Sequence, residues 1–151
     1  MPCLFWVIPV FTNILVAIDG SEASERAMVR AVDEAKVWNA KLHAIYTVET
    51  GLFSSLPSDN TVEIMYRVLQ TEGESVLAKA KKTAAEKGIT LTTHMKQGHA
   101  GSEVVTLAIQ EKSDLIIVGS HGKSKADQLL IGSVSAYIVS HSPVSTLVVR
   151  S

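Results

Sequence analysis

The 151-residue chain has a single cysteine, Cys3, and no Cys/His spacing of the kind that holds zinc, so it has neither an internal disulfide framework nor a structural zinc site. It also lacks a charge surplus. Fourteen Lys and Arg stand against fifteen Asp and Glu, a net charge of -1, which gives no field for steering onto nucleic acid or an anionic membrane. Nucleic acid and membrane are therefore not expected partners, and a reducing cytoplasm is the expected compartment. No repeat, low-complexity tract or linker interrupts the chain.

Residues 1–18 carry no charged side chain at all. That run is short of the basic n-region a signal peptide needs, and a spanning helix would have to absorb Pro2, Pro9, Thr12 and Asn13 at barely sufficient length. Ile14 to Ile18 are also needed as the strand that carries Asp19. Residues 1–11 are expected to be an apolar extension, and 12–151 a single domain, for which 46% apolar content is ample.

Apolar runs and helical patterns alternate along that domain. Asn13 to Ile18 reads as a first strand, Asp19-Gly20-Ser21 as a turn with a capping hydroxyl, and Ala27, Ala31, Ala35 and Trp38 recur at helical spacing after the acids Glu22 and Glu25. Lys41 to Val48 is a second strand, and Gly51 to Asn60 a loop. A long helix is expected over Thr61 to Lys87, with Gly73 as a weak point and Gly88 as its stop. Ile89 to Lys96 alternates in polarity as an edge strand does. A helix over Glu103 to Lys112, a strand over Leu115 to Val118, a helix from Ser133 to His141 and a strand from Val144 to Val149 complete the series. Five strands with four crossovers imply an α/β fold, a doubly wound parallel sheet with helices on both faces.

The chemistry concentrates after the fourth strand. Gly119-Ser120-His121-Gly122 follows the apolar run, and Gly132-Ser133 comes nine residues later, just before a helix. Glycines beside hydroxyls at a helix start let backbone N–H groups approach an anion, so the leading ligand is a nucleotide. Gly122-Lys123-Ser124 imitates the end of a P-loop, but only Ser120 and His121 lie between the glycines, too few to wrap a β-phosphate. Lys123 and Lys125 are available for charge neutralisation, and His121 has no matching nucleophile and acid, so no catalytic residue is assigned. Asp19 ends an apolar strand, where it serves either a ribose, base or phosphate-bound cation, or the turn into the first helix. In a sheet of order 3-2-1-4-5 it would face the glycine loop across the switch point.

Gly119-x2-Gly122-x9-Gly132-Ser133, preceded by Asp114-Leu115-Ile116-Ile117-Val118 and followed by Val134-Ser135, resembles the signature of the universal stress protein family, adenine-nucleotide-binding type. Asp19 and the closing strand from Pro143 to Arg150 are similar to that family as well. The resemblance implies the strand order 3-2-1-4-5, a homodimer paired through the C-terminal strand, and ATP or another adenine nucleotide, with Mg or Mn through the phosphates. Carried onto this chain, it places Asp19 near the adenosine and phosphates, Thr47 (or, with the register one residue on, Val48) at the adenine, and Gly119, Gly122, Gly132, Ser133, Val134 and Ser135 around ribose and phosphates. Tyr46-Thr47 stands where the family more often has His-Val. The implied function is a regulatory stress-response module with slow or no hydrolysis. The alternatives are an ATP-cleaving enzyme, an ATPase or a nucleotidyl or phosphoryl transferase, and a ligand-free dimerisation module.

Overall fold

A computed structural model describes residues 10–53, 60–121 and 131–150. Its elements run in the order β1 (Asn13–Ala17), α1 (Glu22–Trp38), β2 (Lys41–Glu49), a short 3-10 turn (Thr50–Phe53), α2 (Asn60–Glu86), β3 (Leu91–Gly98), α3 (Ala100–Gln110), β4 (Leu115–Gly119), α4 (Ser133–His141) and β5 (Ser145–Val149). All four strand pairs are parallel, and the sheet order is β3-β2-β1-β4-β5. The polar alternation of β3 is that of an edge, as expected. Residues 1–9 of the apolar extension, loop residues 54–59, and Gly122, Lys123 and Lys125 lie outside the described residues.

Alternation along each strand divides the core in two. Ile14, Val16, Leu42, Ala44, Tyr46, Leu115 and Ile117 face α1 and α2 with Ala27, Ala31, Ala35, Leu77 and Ala84. Leu15, Ile45, Ile116 and Val118 face α3 and α4 with Val104, Leu107 and Ile138. The period of two in a strand sends neighbours to opposite faces, so both faces of the central strands can be apolar throughout. The two crossovers from β1 and β2 thus use one face and those from β3 and β4 the other. β1 and β4 are adjacent, and their helices leave to opposite sides, which opens a crevice at their carboxyl ends.

Small residues in α1 and α2 let the helices lie close to the sheet. Gly73 shows why it is glycine: a Cβ there would sit 2.6 Å from the Tyr46 ring and 2.8 Å from the Met95 side chain. It is a contact point of an unbroken helix rather than a break in one. At the amino ends of the strands, Asp114 ties β1 to β4. Its carboxylate accepts from the Thr12 N–H (2.8 Å), the Thr12 hydroxyl (2.9 Å) and the Asn13 N–H (3.0 Å). Burial pushes the carboxyl pKa up, but these donors outweigh it and hold it below the ordinary carboxylate value. Phe11 packs edge-on against Trp38 at the same end.

Candidate functional site

The crevice contains a cavity of about 420 Å³, within the range of small-molecule sites. Asp19, Thr47, Gly119, Gly132, Ser133, Val134 and Ser135 all border it. Every site residue expected from the sequence is therefore brought together, except Gly122, which lies outside the described residues. Residues not foreseen as site residues border it too: Ser24, Glu49, Leu69, Ala100 and His121. The wall toward β2 and α2 is largely apolar, with Ile45, Tyr46, Val48 and Leu69.

Three helices begin at this cavity, and their N-termini are treated differently. At α1, Ser21 is the N-cap and its Oγ accepts from the Ser24 N–H at 3.2 Å. Asp19 Oδ1 accepts from the Ser21 N–H at 2.9 Å, and Ser24 Oγ accepts from the Asp19 and Gly20 N–H groups. Asp19 thus serves the turn, as an Asx residue does, while bordering the cavity. At α3, Glu49 Oε2 accepts from the Ala100 N–H at 2.9 Å, and His99 Nδ1 from the Ser102 N–H. At α4, the N-cap is Gly132, with no side-chain cap. The first-turn N–H groups of Ser133, Val134 and Ser135 have no intrahelical partners and point to the cavity end of the helix.

The glycines and serines around α4 have distinct duties. The Gly132 N–H donates to the Ser120 carbonyl at 2.6 Å, and Ser135 Oγ donates to the Ser120 and Gly132 carbonyls. These groups fasten the helix start to β4 and leave Ser133 as the exposed hydroxyl. A Cβ on Gly119 would lie 2.8 Å from the Ala23 carbonyl carbon and 2.9 Å from its oxygen, so this glycine is required by the approach of α1 to β4. Sequence reasoning could see a glycine loop here but not that its first glycine is a packing residue.

Thr47 offers backbone rather than side chain. The Ile45 carbonyl accepts from the Ile18 N–H at 3.0 Å, on the β1 side of β2. Alternate residues of a strand direct their backbone groups the same way, so the Thr47 N–H and C=O face the same side, beyond Ala17, the last residue of β1 paired with β2. Val48 directs its groups toward β3 by the same alternation. Thr47, not Val48, therefore presents a donor and an acceptor to the crevice.

Among the described residues, two buried polar atoms beside α4 lack partners. Ser120, fully buried, has an unpaired Oγ, and His121, 9% exposed, has an unpaired Nε2. An unsatisfied buried group costs about 1–3 kcal/mol, so such pairs are uncommon without a ligand or water to complete them. An anionic, hydrogen-bonding ligand fits the donors that border the cavity: the α4 first-turn N–H groups, the helix dipole and the exposed Ser133 hydroxyl. Among the described residues no group of three or more His, Cys, Asp or Glu is placed to hold a metal ion. A second histidine cluster lies away from the cavity, where His43 Nδ1 and His94 Nε2 are 3.0 Å apart between stacked rings.

The model of the universal stress protein family matches residues 11–150. Universal stress protein MJ0531 of Methanocaldococcus jannaschii is 34% identical over 141 residues, covering 93% of this chain and 83% of that protein. The structure of universal stress protein UspA from Lactobacillus plantarum is similar with a TM-score of 0.80 at 27% identity, over 92% of this chain and 97% of that one. A universal stress protein in complex with cAMP has a TM-score of 0.64 at 27% identity, over 93% of this chain and 97% of that one. Among the described residues no helix is long and apolar enough to cross a membrane.

Proposed function

The chain belongs to the universal stress protein family, and from that premise we propose that it binds ATP or a related adenine nucleotide in the crevice between β1 and β4. The observation that carries this reading is the uncapped N-terminus of α4. Of three helix starts on one cavity, it alone has no side chain on its first-turn donors among the described residues, and phosphate is the ligand group such a start favours. The apolar wall by Ile45 and Leu69 suits a base, with the Thr47 N–H and C=O as its hydrogen-bonding edge. Asp19 and Ser133 border the cavity on the ribose and phosphate side, and Gly119, Gly132, Val134 and Ser135 shape it. The cAMP complex of a family relative supports an adenine ligand.

Binding with slow or no hydrolysis is the role these groups favour. Asp19, the carboxylate at the end of β1, already holds the Ser21 N–H, which leaves it poorly disposed to activate water. Mg or Mn would be carried by the phosphates. The family supports a regulatory stress-response role, and the single cysteine suits a reducing cytoplasm. A homodimer is proposed through β5, an edge strand whose Leu147, Val148 and Val149 are only half-buried.

The test is thermal unfolding of the full chain with ATP, AMP, cAMP and GTP, each with and without Mg. A micromolar ligand at millimolar concentration raises stability by about 4 kcal/mol. A raised midpoint with the adenine nucleotides and none with GTP is expected. No shift with any of them would favour the ligand-free dimerisation module, and turnover of ATP faster than about one per second would favour the enzyme.

A further inference from the structure

Glu49 brings to the cavity a charge that the phosphate end of a nucleotide does not want. It is the last residue of β2, pairs with Gly98 in the sheet, and is only partly buried. Its side chain has a fixed place, because Oε2 accepts from the Ala100 N–H at 2.9 Å and the positive end of α3 favours the carboxylate there. A carboxylate has room for about four hydrogens, and Ala100 supplies one. Asp19, the other carboxylate bordering the cavity, is engaged by the Ser21 N–H at the β1 side. Glu49 stands instead on the largely apolar β2 wall, where an acceptor-only group calls for a donor on the ligand.

The direction of β2 decides which part of a base lies beside it. Within any residue the N–H precedes the C=O along the chain. A purine bonded to both groups of Thr47 therefore sets a ring nitrogen against the N–H and its exocyclic amine against the C=O, on the side from which Glu49 follows two residues later. The strand rise separates those two residues by about 7 Å, a span that a glutamate side chain and one hydrogen bond cover. The amine has two hydrogens, and the Thr47 carbonyl takes one.

Resting on the nucleotide reading, we propose that Glu49 is a specificity-determining residue, whose carboxylate accepts the second hydrogen of the exocyclic amine and so selects aminopurine nucleotides. The Thr47 backbone reads the ring nitrogen and one amine hydrogen, and Glu49 reads the other. Ala100 positions the reader from α3, a distant segment of the chain.

Isothermal titration calorimetry of the full chain compares ligands that differ only in the amine: the tri-, mono- and cyclic monophosphates of adenosine and of purine riboside. Glu49→Gln keeps an oxygen for the Ala100 N–H and turns an amide N–H toward the base, where donor meets donor. The wild type is expected to prefer the adenosine ligand by about a hundredfold and Glu49→Gln by about tenfold, with the purine riboside ligand bound within about twofold of wild type. In the wild type alone, N6-methylation of the adenosine ligand is expected to cost about tenfold. An unchanged preference in Glu49→Gln, or an equal loss for both ligands, would overturn the assignment and leave the nucleotide site standing. So would a wild type that binds the N6-methyl ligand as tightly as the parent, whatever the variant's stability. No binding of any adenosine phosphate by the wild type would overturn both.

Discussion

Helices α1 and α4 start from adjacent strands at the same crevice, yet one closes its N-terminus and the other leaves it open. α1 has Ser21 on the Ser24 N–H, Asp19 on the Ser21 N–H, and the acids Glu22 and Glu25 in its first turn. α4 has a glycine cap, no acid in its first turn and no side-chain cap bond. Glycine is itself a favourable N-cap, so Ser, Asp or Asn at position 132 would add only about a few tenths of a kcal/mol of stability, while its side chain would occupy the first-turn donors. The contrast separates a helix that serves the fold from one whose end is kept for a ligand.

The largest effect is expected from making α4 resemble α1. Gly132 has φ −65° and ψ 163°, an extended cap geometry open to any residue, so Gly132→Asp places a carboxylate where the proposed phosphate sits. Adenine-nucleotide affinity is expected to fall about a hundredfold or more, while the melting midpoint without ligand is kept or raised. Unchanged affinity by calorimetry would end the assignment of the α4 start as the phosphate site.

Next in size is the packing that brings the two helices together. Gly119→Ala puts a methyl within 2.8–2.9 Å of Ala23 and is expected to destabilise the protein by about 1–3 kcal/mol in urea unfolding. A neutral result would show that α1 can move away from β4 freely. Capping of α1 comes third. Ser21→Ala is expected to cost about 1 kcal/mol of stability and to leave nucleotide affinity within about twofold, since its hydroxyl serves only the helix. A large loss of affinity there would erase the distinction between the two helix starts.

The smallest effect is a pH dependence remote from both. Burial first, and the charge of His43 second, hold His94 below the ordinary imidazole value of about 6.5; Lys96 lowers it further and Glu111 opposes. The unfolded chain then binds that proton more readily than the folded one. Stability is full above about pH 6.5 and declines as pH falls through the window beneath it, and His94→Gln should flatten that limb of a denaturation-versus-pH curve. Asp114, held below its usual value, adds a second loss of stability at more acid pH, as its carboxyl protonates and releases Thr12 and Asn13.

Most of the fold was legible because its signals are local. Strand and helix differ in period, and a single apolar side chain is enough to mark each turn of it; α4 was read over the very residues Ser133 to His141 that it occupies. Some strand ends moved where one more residue found a pairing partner, as Glu49 does opposite Gly98 and Gly119 opposite Val149, while α3 spans Ala100–Gln110 rather than Glu103 to Lys112, with Glu49 and His99 accepting from its first N–H groups. Gly73, read as a weak point, is a contact instead, because what a missing Cβ allows depends on the Tyr46 ring 27 positions away in the chain. His121, to which no catalytic role was assigned, is 9% exposed and borders the cavity, a placement fixed by the packing of distant segments rather than by its neighbours in the chain.

The amino-acid sequence by itself determined the succession of strands and helices, the glycine and serine types around the fourth strand, and a net charge too small to attract a polyanion. These are properties of composition and of neighbours within a few residues, where propensity and periodicity act. Only the tertiary structure decided which helix start, among the described residues, lacks a side-chain cap, which Thr47 backbone groups lie beyond the end of β1, and which glycine is required by a close helix approach. Each of those depends on where a distant chain segment ends or packs, and such distances are set when the sheet is assembled.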